Sequence, residues 1–540
     1  MSDYDYVIVG AGSSGCVLAN RLSDSGAEVL LIEAGGRDRS AKIKIPAAFA
    51  QQFQTKLDWD YASGPEPGCG GRSLYVPRGR ALGGSSSMNA MLYVRGHRAD
   101  YDGWRDEAGC EGWGWDDVHP YFIRSEHHEA GPGPDHGYGG VLNVAPPRSP
   151  RALTELMIAA ARRRGHPADP DYNDGEPDGV APVEVTQKRG RRWSCADAFL
   201  RPAAGRPNLT VLTGAFAYGL EIASGRVRGV KVSGKTDMAV ARARREVILA
   251  AGAIGSPQLL MLSGIGDPDK LAGLGIDVVA PLPAVGTNLQ DHPYVVGIWD
   301  STIGASLADA EKPAALLDFL LRGRGPLTST VAEAFLFTRS DGGDGPPDLQ
   351  FHLAPAYFAD NGFEEYDGHA LTMGPVLIAP RARGEVTLAS ADPAAKPAIL
   401  GNHLTDQADV DALVSGVRIA RELAATPPLA GAAGREIYPG PGVGDDDEAI
   451  ATDVRRRVEL LYHPVGTCRM GGSDGDSVVD PELRVRGIDG LRVVDASVMP
   501  TITHGNTNAP TIMIAEKGAD LILGHAPLRD AAAPTVGAAP

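Results

Sequence analysis

The first thirty-three residues constrain this chain more than any other stretch. Residues 5–9 (Asp-Tyr-Val-Ile-Val) carry the continuous pattern of a strand buried on both faces. Gly10-Ala11-Gly12-Ser13-Ser14-Gly15 follows at once, Cys16 to Leu22 reads as a helix, and Glu28 to Glu33 as a second buried strand. A lone GxGxxG is weak. Here a strand precedes it, a helix follows, and an acid ends the next strand, which predicts a dinucleotide-binding βαβ unit. Gly10 permits the tight turn, Gly12 lets backbone approach a pyrophosphate at the helix N-terminus, and Gly15 lets helix and strand pack closely. Glu33, followed by Ala34, can accept bonds from ribose hydroxyls, and its charge argues against a 2′-phosphate. The unit alone leaves FAD and NAD open.

Composition narrows the class. The chain has 540 residues, 43% of them hydrophobic, so global disorder is excluded. With 51 basic and 68 acidic residues the formal charge is −17, which argues against nucleic acid as a partner. Basic clusters at Arg162–Arg164, Lys188–Arg192, Arg242–Arg245 and Arg455–Arg457 read as solvated faces. Five dispersed cysteines, without CxxC or Cys/His zinc spacing, predict a reducing compartment and no metal site. The N-terminus lacks a basic-then-apolar leader, and no apolar run reaches about 18 residues. The expectation is a cytoplasmic enzyme without a transmembrane segment, with contact at the periphery of the inner membrane left open.

The 68 glycines show no Gly-X-Y period and concentrate in loops. Residues 34–90 are irregular and too long for an ordinary connection, so they are expected to lie along a ligand. Residues 294–455 differ in texture, with β-like runs at 333–338, 349–353 and 385–388 and a helix near 406–424. Other helices are expected at 153–164 and 510–523, and the Ala/Pro-rich tail from 526 is expected to be disordered.

Two longer segments carry a family resemblance. Gly79-Arg80-Ala81-Leu82-Gly83-Gly84-Ser85-Ser86-Ser87-Met88-Asn89-Ala90-Met91 through Gly96, followed by Asp102, resembles the first signature of the glucose-methanol-choline (GMC) oxidoreductases. Gly252-Ala253-Ile254-Gly255-Ser256-Pro257 through Gly266 resembles the second. With the C-terminal motifs the resemblance spans residues 5–523. It implies an α/β fold: a Rossmann-like FAD-binding domain interleaved with a substrate domain built on an antiparallel sheet flanked by helices. The expected division is 1–147, 188–293 and 456–525 for the FAD domain, and 148–187 with 294–455 for the substrate domain.

The resemblance implies extended FAD and oxidation of an alcohol. Gly83, Gly84 and Ser85 offer amides and a hydroxyl to an anionic or carbonyl-rich edge, and Asn89 offers an amide to a flavin carbonyl. Arg80, Met91, Ala251, Gly252, Asp495, Ala496, Asn508 and Thr511 complete the implied cofactor set with Ser13 and Ser14. Some relatives hold FAD through a histidine in the first signature; the matching position here is Met88, which has no nucleophilic nitrogen, so FAD is expected to be non-covalent.

His463-Pro464-Val465-Gly466 through Gly471 resembles the family's histidine motif, which makes His463 the expected base, since imidazole suits that role near neutrality. Asn506 matches the partner position and can donate to the substrate oxygen. His504, two residues away, is the rival base. Asp291 and His292, in another family-like run, are expected to be structural. For the substrate wall, Glu333, Phe351, Tyr357 and Phe358 are candidates: the resemblance places Glu333 in a region that lines the pocket in relatives, where a carboxylate could attract a cation, and the aromatics suit an apolar or cationic group, with core packing their simpler role. The C-terminal motifs look closest to bacterial choline-dehydrogenase-like and aliphatic alcohol dehydrogenases, implying a primary alcohol as small-molecule partner. The electron acceptor (a quinone, O2 or another carrier) and a homodimer are left open, as is the use of this scaffold by relatives that cleave cyanohydrins or decarboxylate fatty acids.

Overall fold

A computed structural model describes residues 4–472 and 475–528. Two sheets organise it. The first begins with β1 (Tyr4–Val9), α1 (Ser13–Asp24) and β2 (Val29–Glu33). It continues with β3 (Leu209–Thr213), β4 (Ala215–Ala223), β5 (Arg226–Gly234) and β6 (Val240–Leu249), and ends with β7 (Leu491–Val493). Strands β3, β2, β1, β6 and β7 lie side by side in that order, all parallel. Val7, Ile8, Val29, Leu30, Leu31, Val247, Ile248 and Leu249 are completely buried, as a parallel sheet covered on both faces requires. Each such side chain contributes about 1.5–3 kcal/mol on leaving water.

β6 serves two ladders. Its C-terminal half is in the parallel sheet, while its N-terminal half pairs antiparallel with β5, which pairs with β4. The arginines at 242, 244 and 245 sit on the exposed half and meet Glu221 and Asp5, so that basic cluster is a solvated face.

The second sheet is antiparallel, in the order Gly179–Pro182, Ala334–Thr338, Leu349–Ala354, Ala370–Leu377, Gly297–Ser301, Ala433–Tyr438. Helices Ala152–Arg163 and Gln407–Ala424 cover one face. Alternation decides what each face carries. Phe351, Leu353, Leu371 and Met373 point to the helices; His352, Ala354, Thr372 and Gly374 point the other way, into a cleft between the sheets.

The helices expected at 153–164, 406–424 and 510–523 form within one to two residues of the sequence reading, while α1 begins three residues before the expected Cys16. The 385–388 run forms strand Glu385–Thr387, but it pairs with Ala398–Leu400 as a separate hairpin rather than joining the large sheet. Strands Pro293–Tyr294 and Glu459–Leu460 pair with each other, and Tyr294 also pairs with Val376 of the antiparallel sheet, so that sheet takes residues on the far side of both expected boundaries. Of the expected tail, Ala526–Leu528 are described, and the Leu528 amide donates to the Tyr121 hydroxyl at 3.3 Å; the rest lies outside the described residues.

Candidate active site

The cleft runs between the carboxyl ends of the parallel strands and the open face of the antiparallel sheet. Three helix N-termini reach its wall: α1, through Ser13 and Ser14; α2 (Gly252–Leu262); and α3 (Asn508–Leu523), through Asn508 and Thr511. The leading N–H groups of a helix have no intrahelical partner, and none of these three is capped by a side chain at its N-cap. The α1 and α3 ends therefore point unanswered partial positive charge into the cleft, the arrangement an anion exploits, while at α2 the first amide, Gly252, is taken by Asp495.

The helix ends are fixed by contacts distant in sequence. The Ser13 hydroxyl donates to Asn508 Oδ1 at 2.7 Å, joining α1 to α3. Farther along, Asp520 accepts from Arg21 and Arg124 at 2.7 and 2.8 Å, clamping α3 against α1 and the helix Trp115–Ser125. Asp495 Oδ2 accepts from the Gly252 amide at 2.9 Å and the Ser256 hydroxyl at 2.6 Å, which holds the start of α2 against the end of β7.

Close backbone approach shapes this wall. A Cβ on Gly84 would lie 2.6 Å from Gly12 Cα, so the two glycine loops touch only because neither carries a side chain. A Cβ on Gly15 would lie 1.8 Å from the Gly10 carbonyl oxygen, the helix–strand contact expected of that position. Glu33 accepts amide bonds from Ala11 at 3.0 Å and Gly35 at 2.7 Å. Burial outweighs those donors and raises its pKa to about 7.

Gly10, Gly12, Ser13, Ser14, Glu33, Ala34, Gly84, Ser85, Asn89, Met91, Ala251, Gly252, Asp495, Ala496, Asn508 and Thr511 all line the cleft. Gly15, Gly83 and Arg80 do not. Gly15 and Gly83 shape the loops behind the wall, and the Arg80 guanidinium lies 4.7 Å over the ring of Trp59, a cleft residue. Asn89 Oδ1 is engaged by Arg192 Nη1 at 2.7 Å and the Met91 amide at 3.1 Å. The residues fit a dinucleotide. The Ser14 hydroxyl is buried on the cleft wall without a protein partner, and the Gly12–Gly84 cradle leaves backbone facing the space.

At the other end, His463 and Asn506 are paired. Asn506 Nδ2 lies 3.2 Å from His463 Nε2, and His463 Nδ1 lies 3.0 Å from His292 Nδ1. An amide NH2 group only donates, so His463 Nε2 presents its lone pair there and Nδ1 carries the proton, donating to His292. The His463 amide and the His292 amide both donate to Asp291 Oδ1 at 2.7 Å. Asp291 thus fixes the backbone of both histidines. Burial, then the neighbouring His292, Arg78 and His352, holds His463 well below the ordinary imidazole pKa, so it is neutral near pH 7. Asn506 Oδ1 is buried without a partner. His504 does not line the cleft: its ring is bonded to Asp100, which also accepts from its amide at 2.9 Å.

Three of the expected substrate-wall residues, Glu333, Phe351 and Tyr357, lie elsewhere. Phe351 is fully buried among the covering helices, because strand alternation turns it away from the cleft. Glu333 is spent internally, accepting from the Ser329 and Thr154 hydroxyls and the Arg151 amide, each at 2.7 Å. Tyr357 stacks on Tyr366 and donates to Glu364. The wall is instead made by His352, Phe49, Phe53, Val331, Phe358 and Tyr462, of which Phe358 is among the sequence candidates. Val331 holds φ +72°, a left-handed conformation a β-branched residue rarely adopts. His352 faces the cleft because strand alternation turns its neighbour Phe351 to the helices.

Comparison with known proteins places this geometry in a family. Models of the GMC oxidoreductase family match residues 4–294 and 380–515. A GMC-type oxidoreductase of Mycobacterium tuberculosis is 48% identical over 525 residues, 96% of this chain and 99% of its own. An alcohol dehydrogenase (acceptor) of Pseudomonas putida is 42% identical, covering 96% of each chain. An oxygen-dependent choline dehydrogenase of Photobacterium profundum is 41% identical, covering 98% of this chain and 95% of its own. Among solved structures, pyridoxine 4-oxidase from Mesorbium loti superposes with TM-score 0.89 at 34% identity, over 97% of this chain and 100% of that one. A formate oxidase of Aspergillus oryzae RIB40, studied for modification of its FAD, gives 0.91 at 30%, over 97% and 98%. The cleft between an FAD-type parallel sheet and an antiparallel sheet defines an oxidoreductase of the dinucleotide-binding class. Within that class the chain belongs to the GMC oxidoreductases.

Proposed function

We propose that this enzyme oxidises the CH–OH group of a primary alcohol to the aldehyde, using FAD held without a covalent bond. The observation that carries the reading is the His463–Asn506 pair on the cleft wall, with the Nε2 lone pair facing an amide donor. FAD, held by the helix ends, Glu33 and the Gly12–Gly84 cradle, would supply the acceptor for the substrate hydride. Every other role belongs to the chain. His463 takes the hydroxyl proton at Nε2, which burial keeps unprotonated. Asn506 donates to the substrate oxygen as negative charge develops on it. His292 receives the His463 Nδ1 proton in a hydrogen bond and fixes the ring's tautomer, while Asp291 fixes the loop.

Phe49, Phe53, Val331 and Phe358 favour an apolar substituent on the alcohol. Among the described residues, the carboxylates on the cleft wall are Glu33 and Asp495, both at the helix-end side, so an ammonium group would meet no carboxylate on the wall beside His463; Asp291 there is buried behind the wall and bonded to the two histidine amides. This favours a neutral alcohol over choline. The interleaved two-domain division is proposed with it, the antiparallel unit taking Pro293–Tyr294 and Glu459–Leu460.

The test is a panel of primary alcohols with an artificial acceptor, with and without oxygen, and anaerobic loss of flavin colour as the direct readout. The reading predicts bleaching by apolar primary alcohols and its loss in His463→Ala. Near wild-type bleaching in that variant would sink the assignment, and turnover with flavin remaining oxidised would point to a lyase. The comparison with and without oxygen identifies the acceptor class. Colour remaining on protein precipitated by acid would overturn non-covalent binding.

A further inference from the structure

Helix Pro313–Arg322 presents leucines to solvent. Leu316, Leu317, Leu320 and Leu321 are 46%, 59%, 57% and 74% exposed, while Ala315 and Phe319 anchor the inner face. The spacing i, i+1, i+4, i+5 makes one outward stripe over two turns. Four of the nine large hydrophobics exposed among the described residues therefore fall on this single helix.

A basic rim borders the stripe. Lys188, Arg189 and Arg191 are exposed on the hairpin built from strands Gln187–Lys188 and Arg191–Arg192, and Arg322 and Arg324 are exposed at the helix end. The hairpin and helix are in contact: a Cβ on Gly190 would lie 2.3 Å from the Gly323 carbonyl oxygen, and the Arg191 guanidinium lies 5.6 Å over the Phe319 ring. Against these five cations stands Asp318, 3.4 Å from Arg322. At the other end of the helix Lys312 pairs with Asp309, which also meets Arg151, and Glu311 is exposed. The buried fourth cation of the hairpin, Arg192, bonds the Ile43 and Ser86 carbonyls and Asn89, so only part of that basic cluster is a solvated face. The surface continues to Trp193, under Lys188 at 4.7 Å, whose indole N–H donates to the carbonyl of the exposed Val141.

We propose that this face docks on an anionic lipid bilayer, with the leucines in the headgroup–acyl boundary and the five cations on lipid phosphates. An interfacial helix combines these two elements, an apolar stripe and a basic edge. Their local positive charge runs against a chain of net charge −17. It also disfavours a second copy: a two-fold contact centred on the helix would oppose the same cations across the interface. The helix leads through turn Pro326–Thr328 to Thr330, Val331 and Ala332 on the cleft wall, and that turn packs on Pro46–Gln52, which carries Phe49. Docking would bring the apolar end of the cleft close to the lipid.

Co-sedimentation of the flavin-loaded, full-length enzyme tests this without reference to the reaction. Vesicles of phosphatidylcholine with phosphatidylglycerol are compared with vesicles of phosphatidylcholine alone. The variants are Leu317→Glu with Leu321→Glu, and Arg189→Glu with Arg322→Glu. The expected result is partition onto the anionic vesicles that falls roughly tenfold or more in either variant, on neutral vesicles, or in high salt. Dye-linked turnover in the absence of lipid should be unchanged. Failure of the wild-type enzyme to sediment, or undiminished binding of the leucine variant, overturns the proposal. So does a wild-type dimer that the leucine variant converts to monomer while vesicle binding persists, which would assign the face to protein contact.

Discussion

The two walls of the cleft recognise in different ways. The parallel-sheet wall presents backbone: helix ends, glycine loops and one acid at a strand end. The antiparallel wall presents side chains from alternate positions of strands and from loops far apart in sequence. A wall made of backbone demands particular residues where chain approaches chain, so it writes itself into the sequence as glycine motifs. A wall made of side chains demands only a shape, which many residues can supply.

The sharpest way to break this comparison is at the point where the walls meet. His463→Ala, with FAD retained, should lower the rate of flavin reduction by roughly 10²–10⁴-fold, the usual contribution of a positioned base. The measurement is stopped-flow absorbance under anaerobic conditions. A loss below tenfold would remove His463 from the proton-taking role. Next in size is the backbone wall itself. Gly84→Val would drive Cβ against Gly12, already only 2.6 Å from that position, at a residue with φ +51°. The expected outcome is a folded protein purified largely without flavin; full flavin content would show that the loops have room to separate.

How much was legible follows the same division. The βαβ unit could be read because Gly10, Gly12, Gly15 and Glu33 lie within one local run, each answering one steric or electrostatic need. The cofactor wall could be assembled from four separated motifs for the same reason. Asp520 and its two arginines could not be read, because a clamp between helices leaves no local pattern. Nor could the phase of strand 349–354. Both its faces are buried, with Phe351 packed on helices and His352 on the cleft, so no polar alternation marks which side is which. Glu333 misled for a different reason. Its segment resembles one that lines the pocket in relatives, where a carboxylate suggests a cationic ligand, but here Ser329, Thr154 and the Arg151 amide consume its acceptors, and the sequence does not show that Thr154 lies beside it.

Glu333 also offers the next test. Glu333→Gln replaces one acceptor oxygen with a donor that faces groups already donating. The expected cost is about 1–3 kcal/mol of stability, the price of a buried polar group left mispaired, with KM for every alcohol unchanged. Denaturant midpoints and steady-state kinetics separate the possibilities. An unchanged midpoint with KM raised for cationic alcohols alone would return Glu333 to the substrate wall.

The smallest effect concerns the histidine on the side-chain wall. Burial lowers His352 to about 3, while an unfolded chain titrates near 6.5. Between those values the unfolded state binds a proton that the folded state refuses, so this residue favours unfolding increasingly as pH falls below about 6.5. His292, also near 3 through burial, acts in the same direction. Asp291, raised by burial to about 7, acts oppositely: folded protein keeps its proton, and that contribution is lost as pH rises toward 7. Bulk acid stability therefore mixes opposing terms, and only a difference isolates one. In His352→Phe, stability should decline less steeply than in wild type between about pH 6 and pH 4, by at most about 1.4 kcal/mol per pH unit. The check is the variant-minus-wild-type unfolding free energy across that range. Parallel profiles would mean His352 is hydrated enough to protonate in the folded protein, and the side-chain wall would then be wetter and less selective for apolar alcohols than its aromatic lining implies.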